Sequence, residues 1–246
     1  MKADPFAQLR LLDLQALDSA LDRLAHRRRT LPELAEILRL DALLAGSRDD
    51  VVHAETAVSD LAREQKKFED DIEAVRARKA RDEDRLSNGT ITNGKQLEEL
   101  QHEVQTLNRR QGDLEDLELE VMERAETAQA VLDALLTDRT AHGAAREAAV
   151  VRRDAARAEI DAELAQTGQE RASVATELPA DLLALYDKIR AAEGGIGAAP
   201  IKRIRCGGCR LELMNNEKAE YRAAPVDEVL RHECRRIVVR TAESWL

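Results

Sequence analysis

Aromatic side chains are nearly missing from this chain, with two Phe, two Tyr and one Trp in 246 residues. So few rings cannot build the large aromatic-rich core of a compact enzyme of this length. Cysteine is also rare: Cys206, Cys209 and Cys234 are the complete set. An odd number clustered at one end does not form a secreted disulfide framework. No run approaches about 18 uninterrupted apolar residues, so no membrane span is expected. Met1-Lys2-Ala3-Asp4-Pro5 leads straight into a charged, periodic segment and reads as no signal peptide. These absences predict a cytoplasmic protein with no membrane partner.

Charge and aliphatic residues are what the chain has in quantity. Charged residues make up 35% and hydrophobic ones 43%, the latter mostly Ala, Leu and Val. That mixture predicts long helices that bury a narrow stripe, not a sheet and not disorder. The net charge of −10 is unevenly placed. Residues 196–246 hold ten Lys/Arg against seven Asp/Glu, or +3, which leaves −13 on the rest. The bulk of the chain therefore repels nucleic acid, and only the tail is suited to meet it.

From Phe6 to Arg29, Leu14, Leu17, Leu21 and Leu24 recur at three- and four-residue steps, which predicts a helix with one apolar stripe. Thr30 then suits an N-cap, with Glu33 three residues on as a capping box requires, and Pro32 fits the first turn of a new helix. From Ile37 a heptad runs through Leu40, Leu44, Ser47, Val51, Ala54, Val58, Leu61, Gln65, Phe68, Ile72, Val75, Lys79, Asp82 and Leu86. Eleven of these fifteen positions are apolar. Such a repeat needs a partner helix to cover its seam. Asn88-Gly89 and Asn93-Gly94 then break the helix, placing a turn near 87–94, with Asn93 placed to cap the next helix. The return seam runs Leu97, Leu100, Val104, Leu107, Gln111, Leu114, Glu118, Val121, Ala125, Ala128, Leu132 and Leu135, ten of twelve apolar. Past Arg139 it weakens into Ala-rich, charged sequence to about Gln166. Roughly 80 residues lie on either side of the turn, about 110–120 Å of helix each. An intramolecular antiparallel hairpin is the economical arrangement, with an intermolecular coiled coil as the alternative.

Pro179 closes this region. Asp181 to Arg190 reads as a short amphipathic helix, and Gly194-Gly195-Ile196-Gly197 as a flexible joint. The expected organisation is a coiled-coil hairpin over 1–178, a short helix and Gly-rich joint over 179–197, and a small β module over 198–246. Within the last, Ile201–Arg205, Leu211–Leu213 and Ile237–Val239 read as short strands.

Cys206-Gly207-Gly208-Cys209 is the sharpest chemical signal. Two thiolates two residues apart bind one ion, and the glycines let backbone amides turn toward sulfur. His232-Glu233-Cys234 is a second candidate pair, which brings the ligands to four: Cys206, Cys209, Cys234 and His232, enough for a tetrahedral structural Zn²⁺. The second pair is irregular, with one intervening residue and Arg235, not glycine, following Cys234. Water or Glu233 as fourth ligand, an unmetallated fold, and a Cys206–Cys209 disulfide all remain open on spacing alone. Nothing else resembles catalysis. His26, His53, His102 and His142 are scattered along the helices, Gly94-Lys95 lacks the rest of a phosphate loop, and no carboxylate pair stands out.

Several segments together resemble one family. They are Ile91-Thr92-Asn93 leading into Gln96 through Val104, Leu114-Glu115-Asp116, Glu120 through Glu123, Leu178 through Tyr186, and Cys206 through Leu213. In this order they look like the bacterial C4-type zinc-ribbon proteins with an N-terminal coiled-coil hairpin, and the Arg- and Ala-rich helices are similar to its actinobacterial members. The resemblance implies a mainly α fold: a long helical hairpin plus a small ribbon holding one zinc through four cysteines. It also implies adaptor-like roles, with contacts to nucleic acid, transcription factors or secretion-related proteins. This chain departs at the second knuckle, where His232-Glu233-Cys234-Arg235 stands for Cys-x-x-Cys-Gly.

The expected function is therefore a non-enzymatic adaptor that binds a protein partner through hairpin and ribbon, with no small-molecule substrate. The alternative is nucleic-acid binding through Lys202, Arg203, Arg205, Arg210, Arg235, Arg236 and Arg240, which flank the cysteines.

Overall fold

The computed structural model describes residues 1–89 and 91–245; Thr90, inside the predicted turn, and Leu246 lie outside the described residues. The elements are α1 (Pro5–Arg29), α2 (Pro32–Ser87), α3 (Gly94–Thr176), α4 (Ala180–Ala192), β1 (Ala198–Lys202), β2 (Arg205–Cys206), α5 (Asn215–Ala223), β3 (Leu230–Arg231) and β4 (Ile237–Val239). The chain divides into two compact units, one of residues 36–149 and one that joins residues 1–35 to 150–246.

The 36–149 unit is a coiled-coil hairpin that takes in the middle of the 1–178 span expected for it. Each of the fifteen heptad positions from Ile37 to Leu86 is buried or half-buried, Leu40 at 1% exposure and Ile72 at 3% among them. The return seam matches, with Leu107, Leu114, Val121 and Leu132 buried, and only Leu97 beside the turn lies open. Ion pairs Asp41–Arg146, Glu64–Arg124, Arg76–Glu115 and Arg78–Glu103 fix an antiparallel register along the flanks. The Asn93 side chain accepts from the Lys95 amide at 3.0 Å and so caps α3. The seam does not fade after Arg139: alternating half-buried positions continue, and Ala149 and Ile160 are fully buried. Alanine's small side chain still fills a seam when the helices approach closely, which the hydropathy pattern alone understates.

The other unit is built differently. α1 and the end of α3 run antiparallel, held by Arg10–Glu177, Asp18–Arg171 and Arg28–Asp161. Leu11 and Leu14 of α1, Leu182 and Tyr186 of α4, and Ile237 of β4 share one apolar core, all at 0% exposure. A polar lock sits within it. The Gln15 side-chain oxygen accepts from the Gly197 amide at 2.7 Å and lies 3.2 Å from the Tyr186 hydroxyl, while its nitrogen donates to the Gly195 carbonyl at 2.9 Å. Asp18, 2% exposed, accepts from the same hydroxyl at 2.7 Å and from Arg171 at 2.7 Å. Burial and the Asp18 carboxylate push the Tyr186 phenol well above its ordinary value, so it stays a donor. The glycine joint is thus pinned, not free, and a Cβ on Gly197 would lie 2.8 Å from the Tyr186 ring.

Thr30 departs from expectation. It ends α1 instead of opening α2, its hydroxyl donating to the His26 carbonyl at 2.9 Å, because a carbonyl left over at the end of α1 is within its reach. In the C-terminal module the strand order is β2-β1-β4-β3, with β1 and β4 parallel and the other pairs antiparallel. The strand expected at Leu211–Leu213 reduces to a single bridge, Arg205 to Glu212, since the chain turns at once into α5. The N-terminal residues also join this module: the Ala3 amide donates to Asp227 and the Val229 amide to Met1. Among the described residues no helix is long and apolar enough to cross a membrane.

Candidate metal centre

Cys206, Cys209, His232 and Cys234 converge, and their ligand atoms all lie within 4.8 Å of one another. β2 delivers Cys206 at its end, and the chain doubles back so that the Arg210 amide donates to the Cys206 carbonyl at 2.8 Å. Gly207 is required here because a Cβ would lie 2.8 Å from the Pro200 carbonyl oxygen. The second turn, after β3, copies the first with one residue fewer: the Arg235 amide donates to the His232 carbonyl at 2.8 Å. Arg210 and Arg235, each following the last cysteine of its turn, both take left-handed conformations, at φ 63° and 66°. That is the conformation glycine adopts most easily, so the missing glycine changes the ease of the turn and not its shape. The short spacing does not keep the second pair apart from the first. An imidazole reaches farther from its backbone than a thiol does, and that length makes up for the absent residue.

The spacings suit a metal ion. A tetrahedral ion with S ligands at about 2.3 Å and N at about 2.0 Å separates two sulfurs by ~3.8 Å, and sulfur from nitrogen by ~3.5 Å. Here Cys206 Sγ lies 3.8 Å from Cys234 Sγ, and Cys209 Sγ 3.5 Å from His232 Nδ1. The thiols are not equivalent. Burial pushes the Cys206 thiol up to about 12. Burial also works against ionising Cys209, but the hydrogen bond from the Leu211 amide and those from the Cys206 and Cys234 thiols outweigh it and hold Cys209 below the usual thiol value. With three sulfurs and one ring nitrogen, all four positions of a tetrahedron are filled by protein and none is left open for substrate.

The basic residues flanking the cysteines differ in exposure and partners. Arg240 donates to the Tyr221, Ala224 and Pro225 carbonyls, and Arg236 to the Glu193 carbonyl at 2.8 Å, so both serve the fold. Arg235 points outward with Glu193 at 4.0 Å, and Lys202 faces Glu243 at 3.6 Å. Arg205 and Arg210 are exposed, and Arg203 stacks over the Trp245 ring at 5.3 Å. Sequence reasoning missed two residues of this region, Glu217 and Tyr221, both buried on α5 beside the cluster. A Glu four residues before a Tyr in a polar stretch carries no signal of burial.

Comparison with known proteins places the chain. It is 40% identical over 241 residues to an uncharacterized protein of Mycobacterium tuberculosis, covering 98% of both chains. It is similar to a solved structure from Mycobacterium smegmatis, with TM-score 0.81 and 36% identity over 98% of this chain and 100% of that one. The CT398 protein of Chlamydia trachomatis shares the fold at TM-score 0.64 and 19% identity, over 96% of this chain and 98% of that one. The family pattern that matches ends before Cys206, so it speaks for the helices and not for a four-cysteine ribbon. With residues 14–194 matching its pattern, the chain belongs to the CT398-like coiled coil hairpin domain family.

Proposed function

We propose that this chain is a non-enzymatic adaptor, in which a structural zinc ion holds a ribbon-like C-terminal module in shape for a protein partner. The observation that carries the reading is the closed ligand set. Four protein side chains on two turns bring their ligand atoms within 4.8 Å of one another; four protein ligands are the pattern of a structural ion, whereas a catalytic zinc keeps a position for water or substrate. Zinc is the ion that suits three thiolates and one imidazole. In the C-terminal module the apolar side chains of Leu211, Met214 and Trp245 stand open at 65%, 54% and 65% exposure. The turn near 87–94 is a second candidate contact.

One observation favours nucleic acid as the partner instead. Arg203 and the exposed Trp245 ring offer a cation beside a stacking surface, with Arg205 and Arg210 nearby in sequence. Capture from lysate with and without nuclease separates the two. An adaptor keeps a defined protein partner after nuclease treatment and loses it in Cys206→Ser. A nucleic-acid binder loses its captured material to nuclease, and its affinity falls steeply with salt.

A further inference from the structure

We infer that Glu217 is the carboxylate that orients His232 for the metal, a positioning residue behind the ligand shell; the inference rests on the metal reading above. His232 is 5% exposed and its ring has two distinct sides. Nδ1 faces the cluster, 3.5 Å from Cys209 Sγ. Nε2 faces away from it, toward Glu217 Oε2 at 3.8 Å. Glu217 is itself 6% exposed. Its carboxylate accepts from the Met214 amide at 2.9 Å, and the Tyr221 hydroxyl lies 3.3 Å from it and 3.0 Å from the Arg231 carbonyl, its single proton shared between the two. α5 therefore fixes the carboxylate in place from its own first turn, on the far side of the imidazole from the thiols.

A neutral imidazole carries one proton, and a metal needs the other nitrogen bare. The Cys234 amide donates to Nδ1 at 3.2 Å, which already requires Nδ1 to be the acceptor and the proton to sit on Nε2. A proton on Nε2 points at Glu217. Closing that gap to an ordinary hydrogen bond needs a shift of about 1 Å. A metal ion held by the cluster would use the Nδ1 lone pair that the Cys234 amide now occupies, and Glu217 would then be the contact that keeps the tautomer and the ring plane. As the N3 residue of the α5 capping box, Glu217 bonds the Met214 amide; capping does not require its carboxylate to face the imidazole, and burying a carboxylate is costly unless donors surround it. Here the Met214 amide donates to it, the Tyr221 hydroxyl lies within reach, and the His232 Nε2 faces it at 3.8 Å. The arrangement also gives a use for histidine at the short turn: a thiol has no second atom to be held from behind, whereas metal-bound histidines characteristically donate their other nitrogen to such a partner.

The test uses the full chain. Co²⁺ affinity is measured by chelator competition for the wild type, Glu217→Gln and Tyr221→Phe. Long-range ¹H–¹⁵N spectra of the zinc-loaded wild type report which nitrogen of His232 carries the proton, with His232→Ala identifying its signals. The expected result is about a tenfold or greater loss of affinity in Glu217→Gln at unchanged stoichiometry and helical content. Tyr221→Phe, which touches the carboxylate but not the ring, stays near wild type. The wild-type spectrum shows metal on Nδ1 and the proton on Nε2, and this readout does not depend on any variant folding. Equal affinity in Glu217→Gln, or coordination through Nε2, overturns the assignment while leaving the metal reading intact. A wild-type chain that takes up no Co²⁺ overturns the metal reading and this inference with it.

Discussion

Leu114 and Leu182 are both buried leucines on helices, at 5% and 0% exposure, but they are held in unlike ways. Leu114 belongs to a seam one side chain wide, in which each residue meets a few others on the facing helix and the pattern repeats. Leu182 belongs to a three-dimensional core drawn from α1, α4 and β4, with Gln15, Asp18 and Tyr186 locked through it by directed hydrogen bonds. A repeated seam spreads its stability evenly and tolerates local faults such as Gln65, Lys79 and Glu118, all half-buried within it. A core with a polar lock concentrates stability in a few groups, each of which must find its partner.

The comparison can be broken in order of expected effect. Cys206→Ser should abolish bound metal and loosen the module, since ligand binding and local folding are coupled. Metal analysis and amide exchange on the full chain check this, and the heptad amides of 36–149 should remain as protected as before. Leu182→Ala should cost about 2–5 kcal/mol in chemical denaturation. If the two units are held independently, exchange protection falls at Ile237 and Tyr186 but not at Leu114; a uniform fall shows one cooperative structure. Leu100→Asp, half-buried on the seam near the turn, should cost about 1–3 kcal/mol, whereas Glu99→Asp on the outer face should change little. Equal melting temperatures for that pair contradict the register. Smallest of all is Arg146→Ala. It removes an ion pair to Asp41 whose partners are both well exposed, and such pairs contribute about 0–1 kcal/mol.

How much of this was legible depended on periodicity. The seam from Ile37 to Leu135 and the turn near 87–94 could be read because each buried position repeats its neighbour's spacing. The Cys206, Cys209, His232 and Cys234 cluster could be read because cysteine and histidine are scarce enough to be singled out. Other features left no such trace. Gln15 and Asp18 are polar residues on the stripe of α1, and nothing local shows that the core wants hydrogen-bonding groups there. α5 buries Glu217 and Tyr221 in a polar stretch, so no apolar face announces it. The parallel pairing of Ala198–Pro200 with Ile237–Val239 joins short segments far apart in the chain, and register at such distance has no sequence signature. Arg235 made the second knuckle look irregular by standing where glycine was expected, although it takes the left-handed conformation a glycine would.

The Gln15 lock has a consequence for how the chain folds. Its hydrogen bond to the Gly197 amide spans 182 positions, and closing a loop of that length from an unfolded chain carries an entropic cost that rises with the logarithm of loop length. The hairpin lies wholly inside that loop. Zipping from the turn, its seam forms through contacts that are first close in sequence and then progressively more distant, ending at the Asp41–Arg146 pair, 105 positions apart. Once that zipper is shut, the span left for Gln15 to bridge is far shorter. The long helices thus act as a loop-shortening device, and refolding should show helix formation ahead of the slower, non-local closure that seats Gln15 against the glycine joint.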